Sequence, residues 1–302
     1  MKDFSDFDYC KLEEYICELK EKYPFLGISS IGESVLGRKL YCLRLGTGKK
    51  KFFFNGAHHA LEWITSAFLM KFCGEYLSAC SNNETIWNTS ARRLWSEASI
   101  CIVPMINPDG INLVINGISP NDPGAYRLIM QNNINADFSK TWQANYNGVD
   151  LNRNYDACFW ESKKALAEAG YDRPGPTRFP GPYPESEPES RAVADFIRQN
   201  KFEIILCYHT QGELIFWNFL NLAPKGSREI GEKLSYVSGY SLEQAEGIAS
   251  FGGLKDWYIK ACNGFGYTIE AGKGVNPLPV SQLDKIYNDN LPLLITAIKI
   301  FL

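Results

Sequence analysis

Histidine occurs only three times in the 302 residues, at positions 58, 59 and 209, so its placement is informative. His59 and Glu62 form an HxxE pair at the start of a helical pattern, where an i,i+3 spacing puts an imidazole and a carboxylate on one face. His58 has Leu61 three residues on and cannot make the same pair. His209 ends the apolar run Ile-Ile-Leu-Cys-Tyr-His and is the histidine left to complete a ligand set, aimed outward from a strand end as metal ligands commonly are. Two imidazole nitrogens and one carboxylate leave the fourth tetrahedral position of a zinc ion open for water, as in catalytic rather than structural sites. That donor set makes zinc the leading choice among borderline metals. Taken alone, the pair fits equally well two histidines that merely satisfy hydrogen bonds.

These groups need a scaffold. Residues 9–22 carry Tyr9, Leu12, Tyr15, Ile16 and Leu19 at helical spacing, and Pro24 closes the segment. Short β-type runs follow at Gly27–Ile31, Lys39–Leu45 and Lys51–Asn55, separated by glycine-bearing turns, and read as partly antiparallel strands. Ile64, Phe68, Leu69, Phe72 and Tyr76 repeat with helical period from Leu61 to about Cys80, so the HxxE pair sits where a strand enters a helix. Ser99–Met105 and Glu203–Tyr208 are continuous apolar runs of strand length, as expected for strands covered on both faces, and helical patterns lie at Glu187–Gln199 and Ser227–Val237. This predicts one α/β domain, 1–302, around a mixed sheet. The stretch Asn107–Pro184 is rich in Asn, Gly, Pro and Asp, has little periodicity, and is too long for a plain connection, which marks it as a carrier of binding residues.

Hydrophobic residues make up 45% and charged residues 22%, enough apolar side chain for a core and no sign of disorder. A formal charge of -3 gives no basic field for nucleic acid or anionic lipid. The start MKDFSDFDYC lacks the basic and apolar regions of an export signal, and no later stretch approaches a membrane span, which predicts a soluble cytoplasmic protein. Nine cysteines, several inside apolar runs and none in a CxxC pair, suit a reducing compartment and exclude a zinc ribbon.

Five motifs occur in order: GAHHALEW, INPDG, GVDLNRNYD, YHTQGELIFW and GYTIEAGKGVNPLP. With these, the chain resembles the zinc carboxypeptidase family of carboxypeptidase A-like metallopeptidases over nearly its whole length. Within that family it is most similar to bacterial γ-D-glutamyl-diamino acid peptidases that cut peptidoglycan stem peptides. The ordered set is specific, although each motif alone is weak. The resemblance implies a mixed sheet of about eight strands flanked by helices, with one zinc at the C-terminal ends of the strands, held by His59, Glu62 and His209. It also implies that Asp150 hydrogen-bonds the first ligand histidine, and that Glu270 is the base taking a proton from water and passing it to the leaving amine. Asn152 and Arg153 match the pair that binds the substrate's terminal carboxylate, for which a guanidinium fork is suited.

The chain also departs from the family. Where an arginine steadies the oxyanion, just after a tryptophan, stands Gln143, with Lys140 close by. A neutral amide is a weaker donor to developing charge, so either Lys140 substitutes or the zinc carries more of that load. Ile248 stands at the place of the pancreatic enzymes' mobile tyrosine, and Leu61 at that of the arginine inside their HxxE motif. Lys255 occupies the specificity position; it favours an acidic group in the pocket, as diaminopimelate would supply, or is a plain solvated lysine. Gln211 and Glu213 belong to the subgroup's signature and are expected along the substrate groove.

The resulting expectation is a zinc peptidase acting on a murein stem peptide or fragment, with the γ-D-glutamyl–diaminopimelate bond as the expected point of cleavage. The rivals are a carboxypeptidase for ordinary α-peptides, a hydrolase of the deacylase branch, and a peptide-binding module impaired by Gln143.

Overall fold

The computed structural model describes residues 2–119, 121–134, 136–245, 247 and 251–302. The expectation for Ile248 lies outside these residues. In chain order the helices are α1 (Tyr9–Lys22), α2 (Ile64–Asn82), α3 (Ala91–Glu97), α4 (Pro108–Asn116), α5 (Ala125–Gln131), α6 (Phe138–Thr141), α7 (Phe159–Glu168), α8 (Pro188–Arg198), α9 (Ser227–Ser238), α10 (Leu254–Cys262) and α11 (Leu283–Lys299). The strands are β1 (Gly27–Glu33), β2 (Lys39–Leu45), β3 (Lys50–Gly56), a small hairpin β4 (Thr85–Ile86) and β5 (Thr89–Ser90), β6 (Ala98–Val103), β7 (Ile204–His209), β8 (Leu214–Phe216), β9 (Ser241–Glu243) and β10 (Phe265–Glu270).

Phe52, Phe53 and Phe54 of β3 are all fully buried, yet they serve two different cores, because successive side chains of a strand point to opposite faces. Phe52 and Phe54 join the larger core under α1, α2, α9 and α11, while Phe53 joins the smaller one under α8 and α10. Truncating such a ring costs about 3–5 kcal/mol, so this strand anchors both layers. Between these layers runs one eight-stranded sheet in the order β1-β2-β6-β3-β7-β10-β8-β9. Its centre, β6-β3-β7-β10, is parallel, while β1-β2, β2-β6 and β10-β8 are antiparallel. The mixed α/β fold expected from the sequence is therefore observed, and with it the early antiparallel strands.

Two expectations need correction. The HxxE pair does not open an α-helix: Ala60–Glu62 form a 3-10 turn that His59 precedes, and α2 begins only at Ile64. The stretch 107–184 is not structureless either. It holds α4, α5, α6 and α7, of 9, 7, 4 and 10 residues, each too short to impose a visible period. Asn107 starts α4 by accepting a hydrogen bond from Gly110 N on its side-chain oxygen at 3.0 Å, and Pro108 fills the first turn, where its missing N–H costs nothing.

Candidate metal and substrate site

Strand alternation and parallel pairing bring the site together. β7 and β10 run side by side with His209 opposite Glu270, both at the carboxyl ends of their strands. β3 ends at the same edge, where Thr65 folds the following turn by accepting from Ala57 N at 2.9 Å and donating to Glu62 O at 2.8 Å. This is where ligands bind in open α/β sheets.

The Glu62 carboxylate faces both imidazoles. Its Oε1 lies 2.8 Å from His59 Nδ1 and its Oε2 lies 2.9 Å from His209 Nδ1. One ligand atom from each of the three falls within 4.8 Å of the others, a spread that zinc bonds of about 2.0–2.2 Å span after small adjustments. Spacing and donor chemistry both fit zinc. On its far side, His59 Nε2 sits 3.1 Å from Asp150 Oδ1. Asp150 also accepts from Arg178 N at 3.1 Å on Oδ2, so it ties a ligand to the loop at 176–179. His58, as expected, is not in the set: its Nε2 pairs with Tyr155 OH at 2.9 Å and its ring stacks on His209.

Charge follows these contacts. Burial alone pushes the Glu62 carboxyl up, but His59 and His209 outweigh it and bring it down to about 2. Asp150 is likewise lowered: burial opposes ionisation, and His59, Arg153 and the Arg178 N–H favour it. Burial disfavours charge on His59, yet Glu62 and Asp150 raise its pKa well above the usual imidazole value. Glu270 goes the other way, pushed up to about 7 chiefly by burial, with Glu62 adding and the two histidines opposing.

Gln143, Phe216 and Glu270 line two adjoining cavities and so divide the groove. One, of about 300 Å³, contains His59, Asn152, Arg153, Arg178 and Lys255; the other, about 520 Å³ and more open, contains Leu61, Lys140, Gln211 and Asn276. Asn152 and Arg153 project from the 3-10 turn Leu151–Arg153, which Asp150 caps. Gly252 packs against that turn with φ +80, and a Cβ there would lie 2.7 Å from Arg153 O, so only glycine lets the wall close this tightly. Asn152 Oδ1 accepts from Leu254 N at 3.1 Å, which orients its amide. Gln143 Oε1 accepts from Thr177 Oγ1 at 2.7 Å, while Lys140 is exposed and 3.7 Å from Asp137.

Some expected residues lie elsewhere or are already engaged. Glu213 pairs with Lys273 at 2.7 Å and Lys285 at 2.8 Å and lines neither cavity. Lys255 reaches the cavity but is buried, its ammonium bonded to Asp256 and, at 2.7 Å, to Asn218 O. Residues not anticipated include Arg178, Thr177 and Asn276, whose Nδ2 lies 3.5 Å from Glu62 Oε1. Only Asn276 stood inside a quoted motif, and nothing local linked it to a residue 214 positions away.

The model of the family described as zinc carboxypeptidase matches residues 12–293. The chain belongs to this family. It is 39% identical over 293 residues to γ-D-glutamyl-L-diamino acid endopeptidase 1 of Lysinibacillus sphaericus, covering 97% of this chain and 72% of that protein. It is 36% identical to the uncharacterized protein YqgT of Bacillus subtilis strain 168, covering 93% and 74%. Among solved structures, thrombin activatable fibrinolysis inhibitor shares the fold with a TM-score of 0.73 at 20% identity, covering 97% of this chain and 73% of that one. The murein-tripeptide amidase MpaA of Escherichia coli O157 matches with a TM-score of 0.56 at 22% identity, covering 89% and 92%. The protein is thus a hydrolase of a metallocarboxypeptidase family whose cofactor is zinc. Among the described residues no helix is long and apolar enough to cross a membrane.

Proposed function

We propose that this peptidase hydrolyses the amide bond between γ-D-glutamate and a diamino acid in murein-type peptides. The observation that carries this reading is the similarity to a γ-D-glutamyl-L-diamino acid endopeptidase along nearly the whole chain. The two arginines that line the cavity beside the metal ligands, Arg153 and Arg178, support it, because a diamino acid of the diaminopimelate type brings two carboxylates.

In this reading His59, Glu62 and His209 hold the zinc, and Asp150 fixes the His59 tautomer and ring. Zinc bound there polarises a carbonyl and lowers the pKa of water to about 7. Glu270 takes the proton from the attacking water and hands it to the nitrogen of the leaving amine. A carboxyl pushed up to about 7 is suited to both transfers near neutral pH. Asn152 and Arg153 bind the terminal carboxylate of the leaving amino acid. Gln143 lines both cavities, and the Thr177 hydroxyl donates to its oxygen, which leaves its NH2 as the oxyanion donor in this reading. Gln211 and the exposed Lys140 serve the acyl side. All nine cysteines are unpaired, which supports action on soluble fragments in a reducing compartment.

The test is to incubate zinc-loaded protein with L-Ala-γ-D-Glu-meso-diaminopimelate and with an ordinary α-linked peptide, and to follow products by mass. Release of diaminopimelate supports the murein reading. Cleavage of the α-peptide alone makes the protein a plain carboxypeptidase, and no turnover of either with zinc bound leaves a binding module.

A further inference from the structure

Lys255, the lysine expected to meet a second substrate carboxylate, already has its ammonium matched by Asp256 and by Asn218 O. Arg178 lines the same cavity in a different state. Its side chain is exposed, and its guanidinium donates to Tyr171 OH at 3.1 Å and lies 5.1 Å above the Tyr171 ring. Among the described residues no carboxylate pairs with that guanidinium. Its backbone has φ +64, a conformation costly for a long side chain, and is held there by the N–H donated to Asp150. A strained, anchored backbone therefore sets in the wall of the cavity that also holds Arg153 an arginine whose guanidinium rests on Tyr171 with no carboxylate partner among the described residues.

We infer that Arg178 is a specificity-determining residue that binds a second carboxylate on the leaving amino acid, while Arg153 takes its α-carboxylate. The inference rests on the murein reading above for the identity of that amino acid. In meso-diaminopimelate the second carboxylate is on the distal carbon; L-lysine has only an ammonium there. A stacked guanidinium attracts the first and gains nothing from the second, so Arg178 separates two diamino acids of similar length. The Tyr171 ring keeps the fork oriented, which reduces what binding must immobilise.

The test uses the zinc-loaded full chain, Arg178→Asn and Arg178→Lys. Asparagine tolerates a positive φ, so the backbone bond to Asp150 survives while the cation is removed. Arg178→Asn should lower kcat/KM on L-Ala-γ-D-Glu-meso-diaminopimelate about tenfold to a hundredfold, mostly through KM, and leave L-Ala-γ-D-Glu-L-Lys within about twofold. Arg178→Lys should recover part of the loss. An equal fall on both substrates, or none on the diaminopimelate substrate, overturns the inference. Calorimetric titration with free meso-diaminopimelate and free L-lysine keeps the two proposals separate. If wild type cleaves no γ-D-glutamyl peptide, the murein reading falls. Weaker diaminopimelate binding by Arg178→Asn then still supports the role of Arg178, and unchanged binding overturns it.

Discussion

Glu62 and Glu189 are both buried glutamates in one chain, and they meet opposite fates. Glu62 is drawn down to about 2 by two imidazoles. Glu189 is pushed up to about 8, first by burial and further by the nearby Asp109; its contacts, Val35 N at 3.1 Å and Asn145 Nδ2 at 3.1 Å, are neutral. Burial charges a similar penalty to each, and the charge of the partners decides the outcome. Beside the histidines, Glu62 and Asp150 are held ionised, ready for a cation, whereas the cluster between α8 and the β1–β2 turn uses Glu189 as a neutral joint. Glu270, pushed up to about 7, lies between these extremes, as suits the proton-carrying role proposed for it.

The contrast can be attacked at each point. Glu62→Gln removes the charge that two histidines face, and should leave a folded protein that retains no zinc after dialysis and shows no turnover, measured by metal analysis and product mass. Retention of stoichiometric zinc would break the comparison at its metal end. Glu270→Gln should bind zinc normally yet lose about 10²–10⁴-fold in kcat. A loss of metal along with activity would instead make Glu270 part of the ligand set. Asp150→Asn keeps the shape but not the charge behind His59, and should cost about 10–100-fold in zinc affinity or activity, seen in a chelator competition.

The smallest effect belongs to Glu189. Its folded value of about 8 stands above its ordinary 4.5, so the unfolded chain ionises first as pH rises. Its contribution to stability is greatest below about 4.5 and is lost progressively toward about 8. Glu189→Gln should therefore flatten that part of the pH dependence of the urea midpoint. An unchanged slope would mean that Glu189 stays ionised in the fold and that burial and partners do not divide the two glutamates.

What could be foreseen from sequence was what lies close along the chain or repeats with a period. The HxxE spacing, the scarcity of histidine and the apolar run ending in His209 pointed to the metal end before any fold was known, whereas Glu270 came only from the resemblance carried by the ordered motifs. The sheet was legible for the same reason, since β2 and β3 declare themselves by composition. The partners that engage Glu213 and Lys255, Lys285 and Asn218, could not be foreseen because they are 72 and 37 positions away and reach them only through the fold. Arg178 went unnoticed because its importance comes from a positive φ and a tyrosine ring beneath it, neither of which leaves a local pattern. The short helices of the 107–184 stretch depend on caps and tertiary packing more than on propensity.

Asp150 holds the loop at position 178 through a main-chain N–H, which every residue except proline supplies. Chemical identity at 178 is thus decoupled from the support of the metal ligand. Within the set of residues that a positive φ admits, mutation can explore new side chains there, and hence new leaving groups, without a simultaneous repair of His59. Such a position gives a lineage of enzymes an inexpensive axis along which to drift, with the reaction conserved and the substrate replaced.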